Sequence, residues 1–494
     1  MTLTILKDGV PQTLAAAKGE NLLNILRTQG YDINSVCSGN GSCGKCKVHF
    51  LTTPPPLSRV EQRMLSPQEI SEGMRLACRV ALEGDCTVEI PSDSGMAIAG
   101  AGVEKRENGD GRCFAAVDIG TTTLVAALVD ASGSVLATKG EKNRQAAFGA
   151  DVISRVKHIH TGGLGELQRT VAAQIDSMLL GLLKEFPAAR LESTTVSGNT
   201  AMLNIFFNED CSGLGFAPYT PAFLSSRRAS AASLGLSVGG DVVSVAGMAS
   251  FAGGDITAGI VALPAQDDGL AMLIDLGTNA EIALYGRGKI WCTSAAAGPA
   301  FEGASIRQGM GAVNGAVCSF ELVNGNPRVR TIGNKPAMGI CGSGLIDIAA
   351  QLLENGILDE TGRLLGGSFE ICDGVSLYAE DIRELQLAKA AIAAAIELLV
   401  ARSGVAFDDI ADVFISGGFG SYINTANAVR LGLLPEQLKK KTAAVGNSSL
   451  AGCILCAVSP EKMALADEIA KKAVYLELTN SAAFSDAYIE HMLF

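Results

Sequence analysis

Two stretches of the chain share one pattern of apolar and polar residues, and each predicts a β-hairpin. Residues 115–119 and 124–129 are apolar runs joined by a short polar turn, and residues 272–285 repeat the arrangement. In each copy an aspartate, Asp118 or Asp275, lies near the end of the first strand, and a Gly-Thr turn follows it. Short apolar runs bounded by turn residues are typical of strands. The repetition predicts a duplicated domain that closes on a phosphate group.

The two turns carry the chemistry of an anion-binding site. Gly120 and Gly277 let the backbone approach a ligand closely. A concave turn presents its amides and hydroxyls to an anion. The residues that would supply these groups are Thr121, Thr122, Thr278 and Asn279. The carboxylates of Asp118 and Asp275 repel phosphate, so we expect Mg²⁺ or a water molecule between them and the ligand.

The first 90 residues predict a small α+β module. The pattern of apolar residues predicts strands at residues 2–6, 10–14 and 86–90. Leucines and an isoleucine at helical spacing predict a helix over residues 21–29. A glycine-rich loop with several cysteines follows this helix, and it is the most informative part of the module.

Four cysteines, Cys37, Cys43, Cys46 and Cys78, have the spacing C-x5-C-x2-C…C. Four thiolates are the ligand set of a 2Fe-2S cluster, and the glycines of the loop let its amides turn toward the sulfurs. Structural zinc sites use short knuckles in pairs, and only one such knuckle occurs within the first 90 residues, so zinc is the weaker alternative. Cys86 could replace Cys78, but the Leu-Ala-Cys-Arg setting favours Cys78.

The middle of the chain predicts a linker and then a larger domain. Residues 91–112 are rich in small residues and lack periodicity, which is typical of a flexible linker. A long amphipathic helix is predicted around residues 165–186. Strand-to-helix junctions at residues 195–203 and 249–257 are natural positions for an anion or a substrate. We expect a hinge between two halves near residues 263–270.

Polar residues ahead of the amphipathic helix are less specific. Gln145 and Asp151 allow two interpretations: a loop residue and a helix N-cap, or groups close to Mg²⁺. His158 and His160 have no other cluster of ligand-type residues beside them, so we interpret both as surface residues.

Two glycine-rich segments in the second half indicate a nucleotide. A helix predicted at about residues 379–402 precedes a buried strand that ends in Gly-Gly-x-Gly. Bare backbone of this kind lets a flat base and a ribose lie against it. The glycines concerned are Gly417, Gly418 and Gly420. The other segment, 339–347, contains Gly342 and Ser343. Each segment is a weak signal by itself, but the order acid turn, acid turn, Gly-Gly-x-Gly is informative.

Composition and charge narrow the class of protein. The 494 residues are 48% hydrophobic and 18% charged, as in a folded soluble protein. A net charge of −12 argues against sequence-independent binding of nucleic acid, which needs a basic surface. The start lacks a signal-peptide pattern, and the most apolar run, residues 388–400, is too short to span a membrane. Thirteen cysteines without an export signal favour a reducing, cytoplasmic location.

Residues 1–90 resemble a 2Fe-2S ferredoxin domain of the β-grasp fold, closest in spacing to the bacterial and adrenodoxin-like branch. The order of the later motifs resembles the actin, sugar-kinase and heat-shock ATPase superfamily, in which two ribonuclease-H-like halves close on ATP. The Walker pattern G-x-x-x-x-G-K-[ST] is absent. The expected fold class is α+β followed by α/β. The expected parts are residues 1–90, a linker at 91–112, and ATPase halves at 113–264 and 265–494.

A ferredoxin domain joined to such an ATPase body resembles the reductive activators of corrinoid-dependent methyltransferases. Residues 298–304 and 339–347 look like that family rather than like sugar kinases. The resemblance implies an ATP-dependent enzyme that returns a corrinoid protein from Co(II) to Co(I), with one electron passing through a 2Fe-2S cluster. It implies the cofactors ATP and Mg²⁺, and as partners a corrinoid (cobalamin-binding) protein and a low-potential donor such as ferredoxin or flavodoxin. A homodimer is compatible with it.

The resemblance also implies roles for particular residues. Iron would be held by Cys37, Cys43, Cys46 and Cys78. Mg²⁺ and water would be held by Asp118 and Asp275. Phosphate would be held by the Gly-Thr turns and the nucleoside by Gly417, Gly418 and Gly420. Gly342 and Ser343 would also bind the nucleotide. Because a ligand shifts only states that bind it differently, closure of the two halves on ATP is the expected coupling step.

Three alternatives stay open from the residues. An electron-transfer or redox-sensing protein would bind nucleotide without stimulated hydrolysis. A small-molecule kinase with a regulatory cluster would need a base, for which Asp151 or Asp255 could serve. An ATP-driven activator of another low-potential enzyme would share the chemistry but not the corrinoid partner.

Overall fold

The computed structural model describes all of the chain except residues 8–9, 30, 32–45, 66, 91–110, 150, 265–268, 304, 373, 418–422 and 479–480. Most of the predicted linker, residues 91–112, therefore lies outside the described residues. The chain divides into two compact units. The first is Met1–Met96 with Lys440–Val445, and the second is Ala97–Lys439 with Gly446–Phe494.

The first unit is a five-stranded mixed sheet with short helices. Its strands are β1 (Thr2–Lys7), β2 (Val10–Ala15), β3 (Lys47–Phe50), β4 (Met74–Leu76) and β5 (Cys86–Ile90), and its helices are α1 (Leu22–Thr28), α2 (Arg59–Met64) and α3 (Pro67–Ser71). The strand order is β2-β1-β5-β3-β4, with β1 parallel to β5. Alternate residues such as Leu3, Ile5 and Val48 point into one core with Leu22 and Leu26 of α1. The predicted strands and helix of this α+β module are confirmed.

The second unit begins with a six-stranded sheet and its helices. The strands are β6 (Arg112–Ile119), β7 (Thr123–Asp130), β8 (Val135–Lys142), β9 (Arg190–Gly198), β10 (Arg228–Ser230) and β11 (Asp241–Ser244). The helices are α4 (Val152–His160), α5 (Leu164–Glu185), α6 (Thr200–Phe206) and α7 (Gly254–Ala262). The strand order is β10-β11-β9-β6-β7-β8. The first predicted hairpin is β6–β7, and the predicted amphipathic helix is α5.

The rest of the second unit adds another large sheet and an insertion. Its strands are β12 (Leu270–Leu276), β13 (Ala280–Gly286), β14 (Lys289–Ala295), β15 (Ala316–Val323), β16 (Asn326–Thr331), β17 (Gly339–Ile340), β18 (Ser368–Cys372), β19 (Val375–Tyr378), β20 (Ile410–Ser416) and β22 (Ala473–Tyr475). The strand β21 (Thr442–Gly446) lies, except for its last residue, in the segment Lys440–Val445 of the first unit. Its helices are α8 (Gly342–Glu354), α9 (Ala379–Ser403), α10 (Thr425–Arg430), α11 (Ser448–Val458), α12 (Pro460–Lys472) and α13 (Ala482–Glu490). Five of the strands lie in the order β20-β12-β13-β14-β22.

The two large sheets are built alike, which confirms the predicted duplication. In the first, β6 is antiparallel to β7 and parallel to β9. In the second, β12 is antiparallel to β13 and parallel to β20. Both central strands are apolar almost throughout, as strands buried on both faces must be. The expected ribonuclease-H-like, actin-like body is thus present.

Two helices cross between the halves near the predicted boundary at residue 264. Helix α11 follows the second sheet in sequence, but Leu450 and Cys453 pack against Ala116 and Ala127 of the first sheet. Helix α7 precedes that boundary, yet Ile256 shares a core with residues of β12 and β13. The helices α7 and α11 therefore lie at the junction between the two halves.

The second half also contains small sheets that no sequence pattern predicted. Strands β16, β15 and β17 form a three-stranded sheet, and β18 pairs with β19. Both lie in sequence between β14 and α9, so they are an insertion into the duplicated plan. Among the described residues, no helix is long and apolar enough to cross a membrane.

Candidate functional site

The first predicted phosphate turn, residues 120–122 between β6 and β7, has its carbonyl groups hydrogen-bonded by side chains and main chain on one side. Asn143 donates through Nδ2 to Gly120 O at 2.9 Å and through its main-chain N–H to Thr122 O at 2.8 Å. Arg155 Nη2 donates to Thr121 O at 2.7 Å. With these carbonyls engaged, the turn can offer its N–H groups and hydroxyls to a ligand on the other side.

Arg155 is buried and lies directly behind this turn. Its remaining donors reach Gly149 O at 3.0 Å and Gln145 Oε1 at 3.1 Å. Burial lowers the pKa of its guanidinium to about 10, which leaves the group charged at neutral pH. A fixed positive charge behind an anion-binding turn strengthens the attraction for phosphate. Gln145 is thus a buried support of the turn, and Asp151 is the N-cap of α4, as one interpretation predicted.

The two predicted aspartates occupy equivalent positions in the two sheets. Asp118 on β6 lies opposite Ser197 of the parallel strand β9, and Asp275 on β12 lies opposite Ser416 of β20. Ser416 donates to Asp275 Oδ2 at 2.8 Å. The structure therefore brings both predicted acids to matching strand ends.

The start of α11 connects the two aspartates. Asn447 Nδ2 and Ser449 Oγ donate to the two oxygens of Asp118 at 2.8 and 2.7 Å. Ser448 Oγ hydrogen-bonds Ser416 Oγ at 2.7 Å, and Ser416 in turn holds Asp275. Three consecutive residues of one helix start thus reach the acids of both halves.

Two further carboxylates lie beside Asp275. Glu281 on β13 is directly opposite Asp275 in the antiparallel pair, and Asp255 lies in the first turn of α7. Burial and the charges of Asp275 and Asp118 raise the pKa of Asp255 to about 8. Burial raises the pKa of Asp275 to about 6 and that of Glu281 well above its usual value. Like charges at this spacing destabilise one another unless a proton or a cation neutralises them.

The carboxylate cluster fits Mg²⁺ held in an indirect way. In the part of the chain that the structure describes, no three His, Cys, Asp or Glu side chains form a ready-made metal site. Mg²⁺ usually keeps several waters and binds one or two carboxylates together with substrate phosphates. Asp118 and Asp275 next to two phosphate turns suit that mode.

A glutamate that the sequence did not single out touches both phosphate turns. Glu302 Oε2 accepts a hydrogen bond from Thr122 Oγ1 at 2.9 Å and another from Thr278 Oγ1 at 2.7 Å. Near it, Gly277 N–H donates to Asn279 O at 3.0 Å and closes the second turn. The threonines of the two halves are therefore close enough to contact one group.

The predicted nucleoside segments are only partly within the described residues. Gly418 and Gly420 lie outside them. Gly417 follows β20 with φ of +106°, and a Cβ there would overlap the carbonyl oxygen of Leu276, so only glycine suits the position. Gly342 and Ser343 are buried in the first turn of α8.

Helix α8 is tied to the helix that follows the glycine segment. Asp347 Oδ1 of α8 accepts a hydrogen bond from Asn427 Nδ2 of α10 at 2.7 Å. Burial raises the pKa of Asp347 to about 6. Ser343 Oγ donates to Cys318 O at 3.1 Å, so its hydroxyl is engaged within the protein. Ser343 is thus engaged with β15, and direct contact of Gly342 and Ser343 with a nucleotide stays a prediction.

Two of the four predicted cluster ligands lie within the described residues of the first unit. Cys46 precedes β3 and Cys78 follows β4, and Ala77 N–H donates to Cys46 O at 2.7 Å. Both cysteines are buried at one end of the sheet. Cys37 and Cys43 lie outside the described residues. Two thiols at adjacent strand ends, together with the two further cysteines in the sequence just before β3, fit the ligand set of a 2Fe-2S cluster.

Strand register separates Cys86 from this position. Strand β5 is antiparallel to β3 with His49 opposite Glu89, and Thr87 N–H donates to Thr52 Oγ1 at 3.3 Å. Cys86 therefore lies near residue 52, roughly 20 Å along the strand from Cys46 at the usual rise per residue. The geometry favours Cys78 as the fourth ligand.

Sequence reasoning missed several residues of the candidate nucleotide site, and they fall into two kinds. Glu281 and Glu302 carried a local signal, because each is a lone acid among apolar or small residues close to the second turn. Asn447, Ser449 and Arg155 carried none, because they reach the first turn only through the tertiary fold.

The two histidines interpreted as surface residues differ in exposure. His158 is half-buried and pairs with Glu166, and His160 is exposed.

Comparison with known families agrees with these two sites. A family described as a 2Fe-2S iron-sulfur cluster binding domain matches residues 5–83. A family described as the RACo middle region matches residues 114–267, and one described as the C-terminal domain of RACo, the ASKHA domain, matches residues 269–494. The fold and the sites thus define an iron–sulfur protein with an ASKHA-type ATPase body.

Individual relatives are corrinoid activators. The corrinoid activation enzyme RamQ of Eubacterium limosum is 30% identical over 414 residues, which cover 77% of this chain and 70% of RamQ. A [Co(II) methylated amine-specific corrinoid protein] reductase of Methanosarcina barkeri is 31% identical over 243 residues, 44% of this chain and 45% of that protein. The solved structure of a reductive activator for corrinoid, iron-sulfur protein superposes with a TM-score of 0.72 at 29% identity, covering 100% of this chain and 98% of that one. The chain belongs to the family of reductive activators of corrinoid proteins.

Proposed function

We propose that this chain uses ATP to drive the one-electron reduction of a corrinoid protein from Co(II) to Co(I), which restores the form competent for methyl transfer. The observation that carries the proposal is the joining of two sites in one chain. Buried Cys46 and Cys78 lie at one end of a ferredoxin-type sheet, and the acids Asp118 and Asp275 lie beside paired phosphate turns. Neither site alone distinguishes an activator from a ferredoxin or a kinase.

In the first unit, the four thiolates of Cys37, Cys43, Cys46 and Cys78 would hold a 2Fe-2S cluster, which supplies a one-electron carrier at low potential. The residues of this chain set its environment. Val48, Leu76 and Val80 are buried around the two described cysteines and keep water from their thiolates. A low-potential ferredoxin or flavodoxin is the electron donor that this unit suits.

In the second unit, the phosphate turns and acids would bind MgATP. The N–H groups and hydroxyls of Thr121, Thr122 and Thr278 bind phosphate, while Asp118 and Asp275 hold Mg²⁺ through water. Asn447 and Ser449 orient Asp118 from α11, and α11 packs on the opposite half from its own sheet. Binding at the turns therefore acts on the helix pair α7–α11 at the junction, which is the part of the fold suited to transmit closure.

Reduction of the corrinoid is coupled to ATP only if the closed and open forms bind the nucleotide differently. The closed form would be the one that binds the corrinoid protein and makes its Co(II) easier to reduce. A cytoplasmic location and assembly as a homodimer belong to the same proposal, and they rest on the family resemblance.

The test is anaerobic visible spectroscopy of a Co(II) corrinoid protein with this protein and a low-potential reductant. Three samples are compared: with ATP, without ATP, and Asp275→Ala with ATP. We expect the Co(I) band only with ATP and intact Asp275, while the cluster is reduced in all three samples. Equal Co(I) formation in all three would identify a plain electron carrier. Phosphate transfer to a small acceptor without Co(I) formation would identify a kinase.

A further inference from the structure

Glu302 joins the two halves of the nucleotide site through a single oxygen atom. Its Oε2 accepts hydrogen bonds from Thr122 Oγ1 at 2.9 Å and from Thr278 Oγ1 at 2.7 Å. Thr122 belongs to the turn after β6, and Thr278 belongs to the equivalent turn after β12. One carboxylate oxygen thus links one threonine from each of the two equivalent turns of the duplicated fold.

These hydroxyls are also the donors that the turns would offer to phosphate. A threonine hydroxyl carries one proton and donates one hydrogen bond at a time. A phosphate oxygen and Glu302 Oε2 therefore compete for Thr122 and Thr278. The negative charges of the phosphate and of the Glu302 carboxylate also repel each other, and this repulsion is stronger at a partly buried site than in water.

The backbone of Glu302 is anchored, whereas its side chain is half exposed. Phe301 beside it is buried, and Glu302 N–H donates to Pro299 O at 3.1 Å. A Cβ at Gly277 would lie 3.6 Å from Glu302 Oε1, so the carboxylate lies over the second turn. Rotation about the side-chain torsions can move the carboxylate off the turns without any shift of the backbone.

We propose that Glu302 is a latch that the terminal phosphates of ATP displace. Glu302 holds both threonine hydroxyls until polyphosphate takes them over, and the carboxylate then rotates away. Thr122 and Thr278 belong to different halves, so Glu302 bridges the halves before ATP binds and the phosphates bridge them afterwards. Both halves therefore contact the bound phosphate. The inference rests on the proposed function, since it requires ATP at these turns.

Two variants separate the two ways in which Glu302 opposes ATP. Glu302→Gln keeps an oxygen that accepts from both threonines but removes the charge. Glu302→Asp keeps the charge but is one methylene too short to reach both hydroxyls. The matched control is Glu321→Gln, an exposed glutamate on β15 of the same unit. Affinities for MgATP and for AMP are measured by titration calorimetry on the full-length protein with its cluster.

We expect both Glu302 variants to bind MgATP about five- to tenfold more tightly than the wild type, as loss of one competing hydrogen bond or charge implies. AMP lacks the terminal phosphates, so its affinity should stay within about twofold, and Glu321→Gln should match the wild type for both ligands. A purely structural role of Glu302 would weaken binding of ATP, so a gain in affinity is diagnostic.

MgATP affinity that is unchanged or weaker in both Glu302 variants would overturn the latch, and a weaker one would make Glu302 a supporting residue of the nucleotide. Failure of the proposed function gives a different result. In that case the wild type binds no ATP, or Asp275→Ala binds it as tightly as the wild type.

Discussion

At the scale of single residues, the candidate nucleotide site contains several buried carboxylates that can bind either a proton or a cation. Asp275 and Glu281 lie opposite each other on neighbouring strands, and Asp255 adds a third carboxylate from α7. Each carries a raised pKa because burial and its neighbours oppose the charged form. The three carboxylates therefore repel one another when they are charged, and a bound cation would reduce this repulsion.

The first prediction concerns Asp255 and pH. Its pKa is about 8 in the folded protein, whereas an unfolded aspartate titrates near 4, about its ordinary value. The folded protein therefore holds a proton that the unfolded chain releases, and the stabilisation is complete below about pH 4 and is lost as the pH rises to about 8. Without nucleotide, we expect the melting temperature of the wild type to fall over this range. The melting temperature of Asp255→Asn should fall less over this range, and at about pH 8.5 it should be a few degrees higher than that of the wild type.

Differential scanning calorimetry across pH measures this effect. Asp486→Asn, at an exposed aspartate on α13, is the control and should follow the wild type. If the melting temperatures of Asp255→Asn and the wild type change in parallel with pH, the pKa of Asp255 is not raised and the prediction is wrong.

A second residue-scale prediction distinguishes the fourth cluster ligand. Cys78 lies next to Cys46 through the hydrogen bond from Ala77 N–H, while Cys86 lies near the other end of β3. We expect Cys78→Ser to lose the visible absorption of the cluster and Cys86→Ser to retain it. Iron content per protein and the absorption spectrum of anaerobically purified variants provide the measurement. Loss of the cluster from Cys86→Ser with retention in Cys78→Ser would reverse the assignment.

At the scale of elements, the contact between α7 and α11 explains how two sequence halves form one site. A Cβ on Gly452 of α11 would overlap the carbonyl oxygen of Ala258 on α7. The helices can approach this closely only because a side chain is missing. Their close packing sets the position of Asn447 and Ser449, which begin or precede α11 and hold Asp118.

The third prediction tests this contact with two glycine-to-alanine changes. In Gly452→Ala, the new methyl group must push α7 and α11 apart, which costs about 1–3 kcal/mol or more of stability and weakens ATP binding. In Gly181→Ala on α5, the Cβ meets only Lys139 Nζ at 3.5 Å. Alanine is the better helix former, so this variant should be as stable as the wild type or more so. Thermal melting and ATP titration are measured for both variants. Equal stability of the two variants would show that close packing of α7 and α11 does not depend on Gly452.

At the scale of the whole molecule, the cluster ligands and the phosphate turns belong to separate compact units. The residues buried around Cys46 and Cys78 come from the first unit, and those around Asp118 and Asp275 come from the second. ATP should therefore act on the corrinoid-binding form of the protein rather than on the iron directly.

The fourth prediction follows from this separation. We expect MgATP to shift the reduction potential of the cluster by less than about 59 mV, the change that corresponds to tenfold for one electron. Potentiometric titration monitored by electron paramagnetic resonance, with and without MgATP, gives the value. In parallel samples that also contain the Co(II) corrinoid protein, ATP should increase Co(I) formation at a fixed reductant concentration. A larger shift of the potential would place the effect of ATP on the cluster itself.

Much of the fold was readable from local patterns. The hairpins β6–β7 and β12–β13, the helix α5 and the cysteine spacing each depend on residues that lie close together in sequence. Apolar alternation, turn glycines and short-range ligand spacing therefore predicted a small cysteine-bearing module followed by a duplicated hairpin, together with Asp118, Asp275 and the threonine turns. The resemblance to known families added the ferredoxin and ATPase assignments. The insertion of β15 to β19 was not predicted, because its short strands carry no repeated pattern.

Tertiary structure decided which distant groups complete these motifs. Asn447 and Ser449 reach Asp118 over more than three hundred residues, and Glu302 reaches Thr122 over 180 residues. Such contacts depend on the crossing of α7 and α11 and on the packing of one half against the other, which no local periodicity encodes. The sequence by itself thus determined the kind of chemistry and the class of protein. The fold decided which charges face one another, because repulsion and hydrogen bonding act through space and not along the chain.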